Sequence, residues 1–457
     1  MNRVALKKKK NIIHFIGIGG VGMSSLAQYF LSHGASVSGS DLKNSEITEL
    51  LKNKGAVIHV GSHVARNISK RVQRVIISTA IDPGNPEYRI AKNRRIPVRT
   101  YAEEIGKLTK KYITITVCGA HGKSTTTALA ALVLERAELN PTVIVGTRLH
   151  EWGGGNFRSG SGKFLVLEAG EYCEAFLNYF PKIIIATNID REHLDHCETL
   201  DNTKIAFKKF FLSAPRGVKF ILNHDDEHLR EIGKELSKKK RGVIWYSLNS
   251  PDTEIVVNSL RVSGAHNVSN ALAVLKLARV LKIEESIALN VFNNFRGSWR
   301  RAEYKGKMGN VRVYDDYAHH PTEIRATLAG FRETNPDARI WCVFQPHQQK
   351  RLELLFDDFV SSFHHADRVV LLDVFRVHGK ESASISRVGK KLPNANDHKT
   401  VFDLACAIDQ TAKKQVFYVR YPSQLPSFLK DNALHSDIII MMGAGDINEL
   451  TPTILAA

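Results

Sequence analysis

Cysteine is scarce and unpatterned in this chain. Its five thiols, at positions 118, 173, 197, 342 and 406, are odd in number, far apart and never in a CxxC pair. That argues against a disulfide framework and a structural zinc site, and fits a reducing cytoplasm. Long apolar runs are missing as well: none reaches the roughly 18 residues of a membrane-spanning helix. The apolar stretch 12–23 follows a basic start, but His14 and the glycines at 17, 19, 20 and 22 interrupt it. No small-residue cleavage site follows, so no signal peptide is expected. Acidic residues are fewer than basic ones, 46 against 64, which leaves a net charge of +18. Basic runs stand at 7–10 and 238–241, without interleaved aromatics and without zinc-finger spacing. A solvated surface, or attraction of polyanionic substrates such as nucleotides, therefore ranks above nucleic-acid binding. There is no short-period repeat.

What is present is ordinary globular usage, 43% hydrophobic and 24% charged, over 457 residues. Roughly 100–200 residues per domain puts two to four domains in such a chain. Strand-like runs at 11–18, 35–40, 56–60 and 74–78 alternate with helical patterns at 23–33 and 45–54. This is the grammar of a parallel, doubly wound sheet. A polar seam at 109–112 precedes a new strand at 113–117, with further strands at 164–167 and 182–186. The glycine-rich stretch 153–160 has the composition of a loop, and 267–281 is strongly helical. After a second seam near 293–299 come strands at 311–314, 339–344, 369–372 and 438–442. The expectation is three α/β domains, at 1–109, 110–296 and 297–457.

Several motifs at strand ends could carry chemistry. Gly17-Ile18-Gly19-Gly20-Val21-Gly22 is a GxGxxG turn between a strand and a helix, able to bring backbone N–H groups to a diphosphate. Asp41, 19 residues past Gly22, stands where an acid would read a ribose. A tight turn without ligand is the bland alternative, and NAD the obvious ligand, yet no hydride-transfer site follows downstream. Gly119-Ala120-His121-Gly122-Lys123-Ser124-Thr125 resembles a phosphate-binding loop, with Lys123 for terminal phosphates and the Ser124 hydroxyl for Mg²⁺. Val117 occupies the place of the usual first glycine. Glu168 and Glu171 lie at the end of the strand 164–167, where a metal-holding acid is expected. His193 and His196, three apart, are too close for an HExxH zinc helix. The run Asp315-Asp316-Tyr317-Ala318-His319-His320 and the run Phe344-Gln345-Pro346-His347-Gln348-Gln349-Lys350-Arg351 end two further strands. Helix capping and aromatic burial are the bland explanation of the first.

Taken together and in this order, HFIGIGGVGMSSLA, GAHGKSTTT, NIDREHLD, GAHNVSNALA, DDYAHHPTEIRATL, FQPH and GAGDI resemble the Mur ligase family. The resemblance runs from about residue 12 to residue 446. It implies a Rossmann-like UDP-binding domain, a central ATPase domain of the P-loop type and a Rossmann-like C-terminal domain that takes the amino acid. Within the family the motifs are most similar to the branch that joins L-alanine to the carboxylate of UDP-N-acetylmuramate, with ATP and Mg²⁺, in peptidoglycan precursor synthesis. A branch that adds a whole tripeptide is the alternative, and a non-catalytic nucleotide-binding protein of the same fold is another.

By matching motif, the resemblance implies that Gly17, Gly19, Gly20, Gly22 and Asp41 hold the UDP, with Asn156 and Arg158 at the muramyl group. It gives the ATP phosphates to Gly119, Ala120, His121, Gly122, Lys123, Ser124 and Thr125. His266, Asn267 and Asn270 would lie by the adenine, with Asp316 and Arg301 completing the ATP site on domain closure. Ser124, Glu168 and His193 are the implied Mg²⁺ ligands; Lys123, His193 and Arg301 the implied catalytic groups. Tyr317, His319, His347 and Arg351 would line the amino-acid pocket. Four departures from the family pattern stand out: Gly170 replaces an acid, Tyr172-Cys173-Glu174 replaces a more polar Ser-Asp run, Ser124 replaces the usual loop threonine, and Gln348 stands where arginine is frequent. A cytoplasmic monomer or homodimer is expected, with no nucleic-acid partner and no membrane span.

Overall fold

Apolar strands and amphipathic helices alternate along the chain and assemble three separate sheets. The computed structural model describes residues 12–191, 199–375, 399–412 and 415–457. The first sheet comprises β1 (Ile12–Ile16), β2 (Ser36–Asp41), β3 (Val57–Val60), β4 (Val72–Ile77) and β5 (Val98–Thr100), in the order β3-β2-β1-β4-β5. All its pairs are parallel. Its helices are α1 (Val21–Ser32), α2 (Glu46–Asn53), α3 (Pro86–Asn93) and α4 (Tyr101–Thr109). Three of them start on side-chain caps: Ser45 and Thr100 form capping boxes, and Asn85 accepts from the first turn of α3 ahead of Pro86. The strand order reverses at β1, so the glycine-rich loop after β1 opens at the crevice where such sheets bind ligands.

The second sheet has seven strands in the order β12-β11-β10-β6-β9-β7-β8. They are β6 (Ile113–Cys118), β7 (Thr142–Leu149), β8 (Gly155–Arg158), β9 (Phe164–Glu168), β10 (Ile183–Ala186), β11 (Lys219–Asn223) and β12 (Gly242–Tyr246). Helices α5 (Lys123–Arg136), α6 (Leu200–Ser213) and α7 (Glu227–Lys238) accompany it. Here the loop expected at 153–160 is corrected. Gly153 and Gly154, at φ +61° and +80°, make a turn, and the chain then runs back antiparallel along β7 as β8. The glycines mark the turn of a hairpin; composition does not register the extended residues after it.

Helices α8 (Asp252–Ser259), α9 (Ala265–Leu281) and α10 (Glu285–Asn294) lead to the third sheet. Its strands are β13 (Glu303–Met308), β14 (Val311–Asp316), β15 (Ile340–Phe344), β16 (Arg368–Leu372), β17 (Gln415–Val419) and β18 (Ile438–Met442), in the order β13-β14-β18-β15-β16-β17. Only the edge pair β13/β14 is antiparallel. Alternate residues of β15 feed two cores. Ile340, Cys342 and Phe344 face one side, and Trp341 and Val343 the other. A parallel sheet covered on both faces needs this near-continuous apolar run. Helix α11 (Pro321–Thr334) starts just past β14 on a capping box between His320 and Glu323.

The described residues group into two compact units. One carries the first and second sheets, running to Ile189 and taking in Thr203–Ser247 and Ala273–Val291. The other holds the described residues of Asp190–Asn202, together with Leu248–Leu272 and the third sheet from Phe292 onward. No described helix is long and apolar enough to cross a membrane.

Candidate functional site

In the first unit the loop between β6 and α5 has the build of an anion cradle. Gly122 caps α5 at φ +80° without a side-chain cap bond, so the first-turn N–H groups of the helix point toward the loop. Gly119, at φ +139°, passes so close to Thr187 that a Cβ would lie 2.0 Å from its hydroxyl. The strand β10 and the segment after it brace the loop from beside it. Asn188 accepts from the His121 N–H at 2.8 Å, Thr187 donates to the His121 carbonyl at 2.6 Å, and the Asn188 carbonyl accepts from Ala120. Thr187 and Asn188 thus support this loop.

Lys123 lies folded over this loop. Its Nζ donates to the carbonyls of Gly119 (2.5 Å) and Ala120 (2.8 Å) and pairs with Glu171 at 3.2 Å. Ser124 Oγ donates to Glu168 Oε1 at 3.1 Å, while Glu168 Oε2 accepts from the Gly146 N–H at 2.7 Å. A hydroxyl and a carboxylate oxygen, fixed side by side at this loop, are the hard donors that suit Mg²⁺. His193, the third ligand expected from the sequence, lies outside the described residues. Beneath the loop, Cys118 is fully buried, and burial pushes its thiol far up, away from reactivity. Lys204 and Lys208 pair with Glu231 and Glu235 on α7.

The glycine-rich loop of the first sheet is organised by β2. The Ser40 carbonyl accepts from both Gly17 and Ile18, and Asp41 Oδ2 accepts from the Gly19 N–H at 2.8 Å. Asp41, expected at a ribose, is therefore also the residue that shapes the loop. Asn156, expected at the muramyl group, is buried and committed to α1. Its amide nitrogen donates to the Val21 carbonyl at 3.0 Å, and its amide oxygen accepts from Gln28 at 3.1 Å. Arg158 donates to the Pro141 carbonyl and pairs with Glu135 at 3.0 Å. The structure gives both residues holding tasks within the protein.

In the second unit the four residues expected around the amino acid do come together. The Tyr317 and His319 rings are 5.4 Å apart, the His319 and His347 rings 5.8 Å, and Arg351 Nη1 lies 3.3 Å from His347 Nδ1. Arg300 and Arg301 both sit over the Tyr317 ring, at 5.2 and 5.1 Å. Asp316 is buried, accepting from Ala302, Ala318 and Thr327, and burial raises its carboxyl above the usual range. It holds the bend that carries Arg301. At the start of α9, His266 is exposed, Asn267 donates to the Ser263 carbonyl and Asn270 is buried.

Three stretches match family descriptions. Residues 12–113 match the Mur ligase family, catalytic domain; 117–278 match the Mur ligase middle domain; 300–445 match the Mur ligase, glutamate ligase domain. The chain belongs to the Mur ligase family. Among its relatives, the UDP-N-acetylmuramate–L-alanine ligase of Alkaliphilus metalliredigens is 36% identical over 468 residues, 97% of each chain. That of Clostridium botulinum strain Hall is 36% identical over 472 residues, again 97% of each. The crystal structure of UDP-N-acetylmuramate-alanine ligase from Thermotoga maritima matches with a TM-score of 0.76, at 26% identity and covering 97% of this chain and 98% of that one. A murein peptide ligase from Psychrobacter arcticus shares the fold, with a TM-score of 0.67 at 20% identity, covering 98% of each chain.

Sequence reasoning missed several residues of this Mur ligase that the geometry brings forward. Glu323 pairs with Arg301 at 3.4 Å and with His319 at 3.1 Å, joining two expected sites. The capping-box spacing from His320 to Glu323 was its available signal. Arg300 is 3% exposed and donates to the carbonyls of Gly443 and Gly445, fixing the last glycine turn. Nothing in the local pattern separates it from Arg301.

Proposed function

We propose that this Mur ligase joins L-alanine to the lactyl carboxylate of UDP-N-acetylmuramate, with cleavage of ATP to ADP and phosphate. Full-length likeness to L-alanine ligases, 36% identical over 97% of both chains, carries the reading. The phosphate loop and the cationic cluster around Tyr317 supply chemistry that fits it. A functional division at 1–109 for UDP-sugar, 110–296 for ATP and 297–457 for the amino acid accords with it.

A carboxylate has too poor a leaving group to react with an amine. In the proposed route a carboxylate oxygen attacks the γ-phosphorus and the bond to ADP breaks, giving an acyl phosphate. The alanine nitrogen then attacks the acyl carbon, phosphate leaves, and the nitrogen gives up its proton. Three anionic groups must converge, so the protein's work is charge neutralisation and alignment. Lys123 exchanges its loop carbonyls for phosphate oxygens, and the N–H groups at the start of α5 receive the rest. Ser124 and Glu168, with His193, would hold Mg²⁺, whose charge offsets that of the phosphates when bound. Arg351 offers a planar fork to the alanine carboxylate, beside His347 and His319. Arg301 is assigned to phosphate charge. His266, Asn267 and Asn270 are assigned to the adenine.

Two measurements test this. Glu168→Gln should raise the Mg²⁺ concentration for half-maximal rate about tenfold, in keeping with loss of an anionic oxygen ligand. Coincident metal titrations for variant and parent would remove Glu168 from the metal. The second compares kcat/KM for L-alanine with that for the L-Ala–D-Glu–diamino-acid tripeptide. L-Alanine should win clearly, because a tripeptide brings further carboxylates and Gln348 lowers the cationic count beside His347. Preference over glycine should be modest, as one methyl group is worth about 1–3 kcal/mol. A higher value for the tripeptide would assign the chain to the peptide-adding branch.

A further inference from the structure

The first sheet contains a buried polar cluster that the ligation chemistry does not use. Glu87, in the first turn of α3, is fully buried and receives donors from four directions. Its Oε2 accepts from Ser40 Oγ at 2.5 Å and from His14 Nε2 at 3.3 Å. Its Oε1 accepts from Asn67 Nδ2 at 2.6 Å and faces His63 Nδ1 at 3.2 Å. His14 in turn meets Ser38 Oγ at 2.9 Å. Burial works against the charge on Glu87, but the bonds from His14, Ser40 and Asn67 outweigh it and hold the carboxyl down, at about 2. Burial conversely pushes the His14 imidazole below its ordinary value. A buried carboxylate with this many donors is a joint: it ties α3 to β1, to β2 and to the segment after β3.

The tie to β2 bears on the glycine-rich loop. Ser40 is the residue whose carbonyl accepts from Gly17 and Ile18, and its neighbour Asp41 accepts from Gly19. Three successive N–H groups of the loop are thus set by the last two residues of β2. The side chain of the first of these is anchored on Glu87. We propose that Glu87 is a positioning residue for the UDP-sugar site, acting through Ser40 on the loop from Gly17 to Gly22. The inference rests on the reading of that loop as the UDP site.

The test is a set of folded variants with the KM of each substrate measured separately. In Glu87→Gln one oxygen becomes an NH₂ group, so either orientation of the amide sets a donor against Asn67 and His63 or against Ser40 and His14. Ser40→Ala removes only the hydroxyl link and keeps both carbonyl bonds to the loop. Both variants should raise KM for UDP-N-acetylmuramate about tenfold, with KM for ATP and for L-alanine within twofold of the parent and kcat little changed. Should Glu87→Gln fail to fold, Ser40→Ala decides alone. An unchanged KM for the UDP-sugar overturns the proposal. So does a parallel rise in all three KM values with a lowered melting temperature, which would mark a purely structural role. Gly19→Ala separates the two levels, since its Cβ would lie 2.8 Å from Asp41 Oδ2. If Gly19→Ala leaves KM for the UDP-sugar unchanged, the loop is not the UDP site and both readings fall. An effect of Gly19→Ala without one of Ser40→Ala overturns the role of Glu87 alone.

Discussion

Replacing Lys123 by alanine should lower kcat for ligation at least about 10²-fold and leave UDP-N-acetylmuramate binding near that of the parent. Loss of a charge-assisted contact to a transferring phosphate is worth that much where water is excluded. The separation of effects follows from the fold. Lys123 opens α5 at the end of β6, in the second sheet, while the glycine-rich loop follows β1 in the first. The ammonium rests on the loop's own carbonyls and on Glu171. The loop thus holds a cation where, under the proposed function, phosphate charge would arrive. Isothermal titration with UDP-N-acetylmuramate and ADP release under saturating substrates would read the two effects independently. Turnover near that of the parent would end the phosphate-loop assignment.

Gly119→Ala should be nearly as damaging, for a steric reason. At φ +139° an L side chain is strained, and the added Cβ would stand 2.0 Å from Thr187 Oγ1. That oxygen cannot retreat freely, because it donates to the His121 carbonyl at 2.6 Å. The loop would have to move outward, and a displacement of about 1 Å can cost about 10²-fold in rate. Backbone strain of this kind is worth about 1–3 kcal/mol, so a lower melting temperature should accompany the loss. A fluorescent ATP analogue and thermal melting, measured on the same preparation, distinguish a displaced loop from an unfolded domain. Unchanged nucleotide affinity in the variant would show that the loop has room the geometry does not offer.

Much of this architecture could be read from residue order. Apolar runs such as Ile183–Ala186 and Ile438–Met442 are buried on both faces, so their pattern is unambiguous. The turn from β6 into α5 was legible because Gly119 and Gly122 take the positive φ that the turn needs, just ahead of Lys123. The edge strands β13 and β8 were not. β13, Glu-Tyr-Lys-Gly-Lys-Met, is largely exposed and carries neither alternation nor apolar run. β8 hides behind its own turn glycines. Asn156 was legible as a notable residue but not as a clasp on α1, because a bond between positions 156 and 21 leaves no trace in local spacing. Glu87 was invisible for the same reason: its partners lie at 14, 40, 63 and 67, and only the folded sheet collects them.

The clasp between Asn156 and α1 has one more consequence. It fastens the far edge of the second sheet to the helix that opens the glycine-rich loop, and the ion pair between Arg148 and Glu46 adds a second fastening at 2.7 Å. Both loops assigned to phosphate under the proposed function then belong to one compact unit. On that assignment, the interval between the UDP diphosphate and the γ-phosphate of ATP would be a built-in span, independent of the amino acid. An acceptor is gauged by its reach: a carboxylate carried too near the uridine, or too far from it, falls short of the phosphorus or overshoots it. On that assignment, acceptor length would be measured by the first two sheets before any amino acid is chosen.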